Sequence, residues 1–151
     1  MTHLLEKGNP ARGEVIAAPP RRGAKVAKPS VLVGIARIFY AVLCTIFVAC
    51  VLTQVFFAGM GAFGADWSWH VTFVHLFEPL PLLMLPVAFI GRLPWAMRLL
   101  PLALVVLIGA QYVLADVAVP TAALHPVNAV LILLLGLFMA RRAWAAVRNR
   151  G

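Results

Sequence analysis

Long apolar stretches separated by short polar interruptions run through this chain. From Ile38 to Ala65 there are 28 consecutive residues without a charge, more than the roughly 20 that an α-helix needs to cross a hydrocarbon core. Three more apolar stretches follow, divided by Asp66, by the turn around Arg92 and Pro94, and by Asp116 to Thr121. The pattern predicts an all-α, integral-membrane, four-helix up-down bundle with helices over about 34–59, 67–90, 99–115 and 122–140. Pro94 argues against one helix running through the central turn, and Pro101 is placed in the first turn of the third helix. The bundle is expected over 31–142, with a basic tail over 1–30 and a basic end over 143–151.

Composition supports this class. Hydrophobic residues make up 63% of the chain, whereas soluble domains hold roughly 45–50%. The first 30 residues are rich in Pro, Gly, Ala and basic side chains and lack an apolar period, which predicts a disordered tail. The apolar stretch behind them is too long for the core of a cleavable signal peptide. Cys44 and Cys50 lie about 9 Å apart along one predicted helix and point in different directions, so they are read as packing residues and not as a disulfide.

A net charge of +8 would suit nucleic acid if the basic residues shared a soluble face with aromatics, but they cluster at the ends of apolar stretches. No nucleic-acid partner is therefore expected. All 13 Lys and Arg fall in the amino-terminal tail and the base of the first helix, the turn between the second and third helices, or the carboxy-terminal end, while the other two turns hold Asp66 and Asp116. The positive-inside rule then places both termini in the cytoplasm, in the inner (plasma) membrane. The expected partners are the lipid bilayer and a further membrane protein. Trp67 and Trp69 match an aromatic belt at one interface, and Trp95 and Trp144 match one at the other.

Candidate chemistry follows from depth within the spans. Gln54 and Gln111 fall late in the outward-running helices, and His70, His75, His125 and Asn128 fall early in the inward-running ones, so all six share the outer half. Glu78 lies deeper, near mid-membrane. At about 100° per residue, His70, Glu78 and His75 occupy an arc of roughly 140° on one face. Pro79, Pro81 and Pro86 withhold backbone donors from the carbonyls of His75, Phe77 and Leu82, predicting a kinked or unwound segment that is tolerated at depth only inside protein or along a wet cavity.

These groups point to haem b held between helices, with His125 and either His70 or His75 as axial ligands, serving electron transfer. From the helix starts, His125 lies about 6 Å deep, His70 about 4.5 Å and His75 about 12 Å, so simple depth favours His70 as its partner. Glu78 is a candidate proton relay. A metal centre of His75, Glu78 and His125 lacks the further carboxylates that di-iron bundles use. The different-class reading is a cofactor-free accessory subunit, in which His, Gln and Asn hydrogen-bond across helices for about 1 kcal/mol each. No catalytic residue is identified, and no nucleophile–base pair or phosphate loop stands out.

The pattern Gln54-Val55-Phe56-Phe57-Ala58-Gly59, then His75, then Leu124-His125-Pro126-Val127-Asn128 before a basic end resembles an uncharacterised family of small bacterial four-helix membrane proteins. It also distantly resembles one four-helix half of haem A synthase. The resemblance covers about 34–142 and implies His75 and His125 as the haem ligand positions. Haem A synthase has two such halves and a further catalytic carboxylate setting with no counterpart here, so the likeness does not carry its reaction over.

Overall fold

A computed structural model describes residues 30–149. The expected tail over 1–29 and the last two residues lie outside the described residues. Five α-helices form: α1 Val31–Ala62, α2 Ser68–Phe77, α3 Leu80–Ile90, α4 Trp95–Ala115 and α5 Leu124–Arg148, with a short 3-10 turn at Thr121–Ala123 leading into α5. Among the described residues there are four helical segments long and apolar enough to cross a membrane: α1, α2 and α3 together, α4, and α5 with its preceding turn.

The expected second helix is two. Pro79 and Pro81 have no N–H to offer the carbonyls of His75 and Phe77. The chain leaves α2 with Glu78 N–H bonded to the Val74 carbonyl at 3.0 Å and re-enters α3 with Leu82 and Leu83 bonded to the Pro79 carbonyl. Pro86, by contrast, is carried inside α3 without ending it.

Two other expected boundaries move outward. α4 begins at Trp95 and not near 99, because Pro94 takes an extended ψ of 148° and serves as its N-cap. Pro101 therefore lies beyond the first turn, where it withholds the bond due to the Met97 carbonyl. The buried Tyr40 hydroxyl of α1 donates to that same oxygen at 2.9 Å. At the carboxy end, α5 continues to Arg148 and so includes most of the expected basic end. Its last turns stay helical because Ala143 is buried and Trp144 donates to the Thr45 hydroxyl of α1 at 3.0 Å.

The spans pack in a ring. α1 lies against α5 and α3, while α4 lies against both α3 and α5. Gly136 sets the α1–α5 approach: a Cβ there would come within 3.2 Å of Val48 and 3.3 Å of Phe47. Tyr40, Cys44, Met84, Leu93, Leu104 and Met139 fill the core towards the end that carries Arg37, Arg92 and Arg98. Towards the other end α2 packs on α1 but makes no comparable contact with α4 or α5. One half of the bundle is closed and the other is splayed.

The turn between α1 and α2 is fixed independently of the spans. Trp67 lies so close over Gly61 that a Cβ there would meet its ring at 2.6 Å, and Gly64 adopts φ +97°. Asp66 accepts from both the backbone and the hydroxyl of Ser68, at 2.9 and 2.6 Å, and these bonds hold its carboxyl below the usual carboxylate range.

Tyr40→Phe is expected to leave the Met97 carbonyl without the donor that Pro101 cannot supply. The loss should be about 1–2 kcal/mol, read as a lowered thermal midpoint of the purified protein. An unchanged midpoint would show that the hydroxyl does not support the mid-helix proline.

Candidate functional site: a histidine-flanked cleft

The splayed half encloses a cleft of about 540 Å³ between α1, α2, α4 and α5. Its wall is mainly apolar, with Val51, Val74, Phe77, Ile108, Ile132 and Leu133 among its lining. Gln54, His70, His75, Gln111 and His125 reach the same cleft, joined by Tyr112. A small number of polar groups on an otherwise apolar wall is the usual make-up of a cofactor or small-molecule site.

His70 and His125 face one another across it, their ring centroids 6.5 Å apart and their planes inclined by 53°. Each ring is tied back in the same way. His70 Nδ1 lies 3.2 Å from the backbone carbonyl of Gln54, and His125 Nδ1 lies 3.2 Å from the backbone carbonyl of Gln111. A carbonyl oxygen only accepts, so each Nδ1 must carry the proton in these bonds, which leaves each Nε2 with its lone pair. Gln54 returns the contact, its side-chain amide donating to the His70 carbonyl at 2.8 Å. Its own Oε1 is buried and has no partner among the described residues.

The second clamp has a different support. Asn128, buried on α5, donates through Nδ2 to the Leu107 carbonyl and to Gln111 Oε1, each at 2.8 Å. That fixes the Gln111 amide with Nε2 pointing towards His125 Nε2, at 3.5 Å, the outer limit of a hydrogen bond. Trp67 packs edge-on against His70 at 5.6 Å and restricts its ring from the turn side.

His75 occupies a different position, at the rim. Its Nδ1 is 3.2 Å from Glu78 Oε1 and 3.3 Å from the Tyr112 hydroxyl, and its ring stacks on that of Tyr112 at 6.2 Å. Tyr112 also donates to Glu78 Oε2. His75, Glu78 and Tyr112 thus form one cluster joining α2 to α4 beside the break in the second span. The ring that approaches His125 is His70's. Among the described residues no three His, Cys, Asp or Glu come together as a metal site, so the His75, Glu78 and His125 centre considered from sequence does not assemble. Tyr112 is a functional-site residue that the sequence reading misses; its position next to Gln111 is the signal available for it.

The two clamps correspond to a spacing present in the sequence. Gln54 precedes His70 by 16 residues and Gln111 precedes His125 by 14, each pair bridging one helical hairpin. The shared acceptor is a backbone carbonyl, which has no residue type of its own to mark it.

Comparison with known proteins gives one match: the model of a family of unknown function (DUF6220) matches residues 54–122. The matched stretch holds Gln54, His70, His75, Glu78, Gln111 and Tyr112 and stops short of His125 and Asn128. Neither a curated protein nor a solved structure matches the chain.

Proposed function

We propose that this chain is a multi-pass protein of the inner membrane, both termini cytoplasmic, whose cleft binds haem b between His70 and His125 for electron transfer. The observation that carries the reading is the facing pair of imidazoles. Two imidazoles on opposite sides of one metal ion, each at about 2 Å from it, have ring centroids about 6 Å apart; those of His70 and His125 are 6.5 Å apart. An Nδ1–H given to a backbone carbonyl is also the outer-shell bond that fixes the tautomer and orientation of a metal-ligating histidine.

The rest of the cleft suits the same group. Its volume of about 540 Å³ is within the roughly 300–1,000 Å³ of cofactor sites, and the apolar wall excludes water from a porphyrin face. Haem supplies a reversible one-electron change at iron, and two neutral imidazoles would hold that iron low-spin. The chain's own residues set the conditions: the glutamine carbonyls hold the rings, Asn128 holds Gln111, and His70 and His125 would hold the group through Nε2, the Gln111 amide turning away from His125. Glu78, with His75 and Tyr112, would serve as the proton-accepting group at the rim.

Orientation rests on the charges. Among the described residues the basic side chains lie at one end of the bundle, while Asp66 and Asp116 occupy the turns at the other. A membrane-impermeant thiol reagent applied to intact cells is expected to label a cysteine replacing Asp116 in a background without native cysteines; protection there with labelling at an Arg92 replacement would invert the topology.

One observation favours a cofactor-free accessory subunit: Gln111 bonds both to Asn128 and to His125, tying α4 to α5 as interhelical packing does. Haem reconstitution separates the two readings. The purified wild type is expected to show a Soret band and six-coordinate low-spin absorption. His70→Ala and His125→Ala should each lose the six-coordinate form while keeping their helical circular dichroism, and His75→Ala should keep it. No Soret band in the wild type sinks the haem reading; loss in His75→Ala with retention in His70→Ala would reassign the ligand.

A further inference from the structure

We propose that the basic end of the bundle carries a second binding site, for a phosphate-bearing anion, and that its occupant is the head group of an anionic phospholipid. A cavity of about 500 Å³ lies there, lined by Arg37, Arg92, Arg98, Trp95 and Asn149 together with the turn between α3 and α4. None of its lining residues is acidic. The carboxylates among the described residues are Asp66, Glu78 and Asp116, two at the opposite end and one in mid-span. Three guanidinium groups around one cavity without a counter-charge make an anion site.

The arginines are positioned and not merely collected. Arg37 donates through Nε to the Gly91 carbonyl at 2.9 Å, and Arg98 donates through Nε to the Leu93 carbonyl at 2.7 Å. Each bond fixes one edge of a planar fork and leaves the terminal nitrogens for another acceptor. Arg98 is further held over the rings of Phe89 and Trp95, at 5.2 and 5.5 Å. Gly91 packs directly against Arg37, and a Cβ there would crowd the Val87 carbonyl at 3.2 Å.

Arg92 carries the inference furthest. The end of α3 closes with Arg92 N–H bonded to the Phe89 carbonyl and Leu93 N–H to the Ala88 carbonyl. That geometry puts a residue in the left-handed region, a position that favours glycine. Here it falls on Arg92, at φ 47°, although a glycine stands one residue earlier. The strained position bears a long cation whose side chain has no partner among the described residues. Strain retained at one residue points to a function for its side chain.

Helix geometry adds to the field. α4 begins at this cavity with Pro94 as its N-cap and no side chain capping its first N–H groups, and a helix of 21 residues presents a partial positive charge there. Basic pockets between spanning helices on the cytoplasmic side hold anionic head groups. The lipid is favoured over free phosphate because the cavity sits at the end of four apolar segments, where acyl chains can lie along their outer faces.

Thermal unfolding of the full-length protein in nonionic detergent tests this, with phosphatidylglycerol, phosphatidylcholine and inorganic phosphate as the three additions. Phosphatidylglycerol is expected to raise Tm saturably, by several degrees, and phosphatidylcholine not to. Arg92→Gln should weaken the phosphatidylglycerol response about tenfold, whereas Arg141→Gln, at the same end but outside the cavity, should leave it intact. Arg92→Gly relieves the backbone strain, so it should keep or raise the lipid-free Tm while losing the response, which guards against a folding failure. A rise with inorganic phosphate that phosphatidylglycerol does not exceed would keep the anion site and overturn the lipid assignment. Equal responses to both lipids, or a response that survives in Arg92→Gln and Arg92→Gly, would overturn the site.

Discussion

The hydrogen bonds that Pro79 and Pro81 cannot make govern this structure. Because the carbonyls of His75 and Phe77 lose their helical donors, the helical bonding is interrupted between α2 and α3, and α2 packs mainly on α1 while reaching α4 through the Tyr112 bonds to His75 and Glu78. The cleft lies beside this break, with His75 and Phe77 in its lining. Its walls are the apolar faces of four helices, and the polar groups that reach it come from all four: Gln54 on α1, His70 and His75 on α2, Gln111 and Tyr112 on α4, and His125 on α5.

Stability and openness are accordingly divided between the two ends. At the basic end the core is dense, with Tyr40 bonded across to Met97 and Gly136 allowing α1 and α5 to approach closely. That closed half lets the other half remain splayed, since the hairpins are anchored there and need not meet at the far end. The glutamine clamps then do locally what packing does elsewhere: each holds a histidine ring to the preceding helix of its hairpin, and Asn128 stiffens the second clamp through two bonds. The result is a pair of imidazole rings held by their Nδ1–H groups against a mainly apolar cleft, the kind of outer-shell bond that orients metal-ligating histidines.

Much of this was legible in the sequence, and the reasons differ from feature to feature. Apolar length alone gives the four helical segments long enough to cross a membrane, with charges marking their ends. The break in the second span follows from proline chemistry. The start of α4 was placed too late because Pro101 looked like a first-turn residue; it is tolerated deeper in the helix through Tyr40, 61 residues earlier in the chain, a contact no local pattern announces. The facing of His70 and His125 follows from rise along two helices, while the family likeness implied His75, whose ring stacks on Tyr112 at the rim. The carbonyl clamps and the left-handed Arg92 are backbone features, and residue identity alone does not encode them.

The central claim is that the cleft presents two neutral imidazoles to one iron. The most direct measurement is the electron paramagnetic resonance spectrum of the ferric, haem-loaded full-length protein. The account predicts a low-spin signal from two imidazole ligands at one haem per chain. A purely high-spin signal, or protein that takes up no haem, would contradict it.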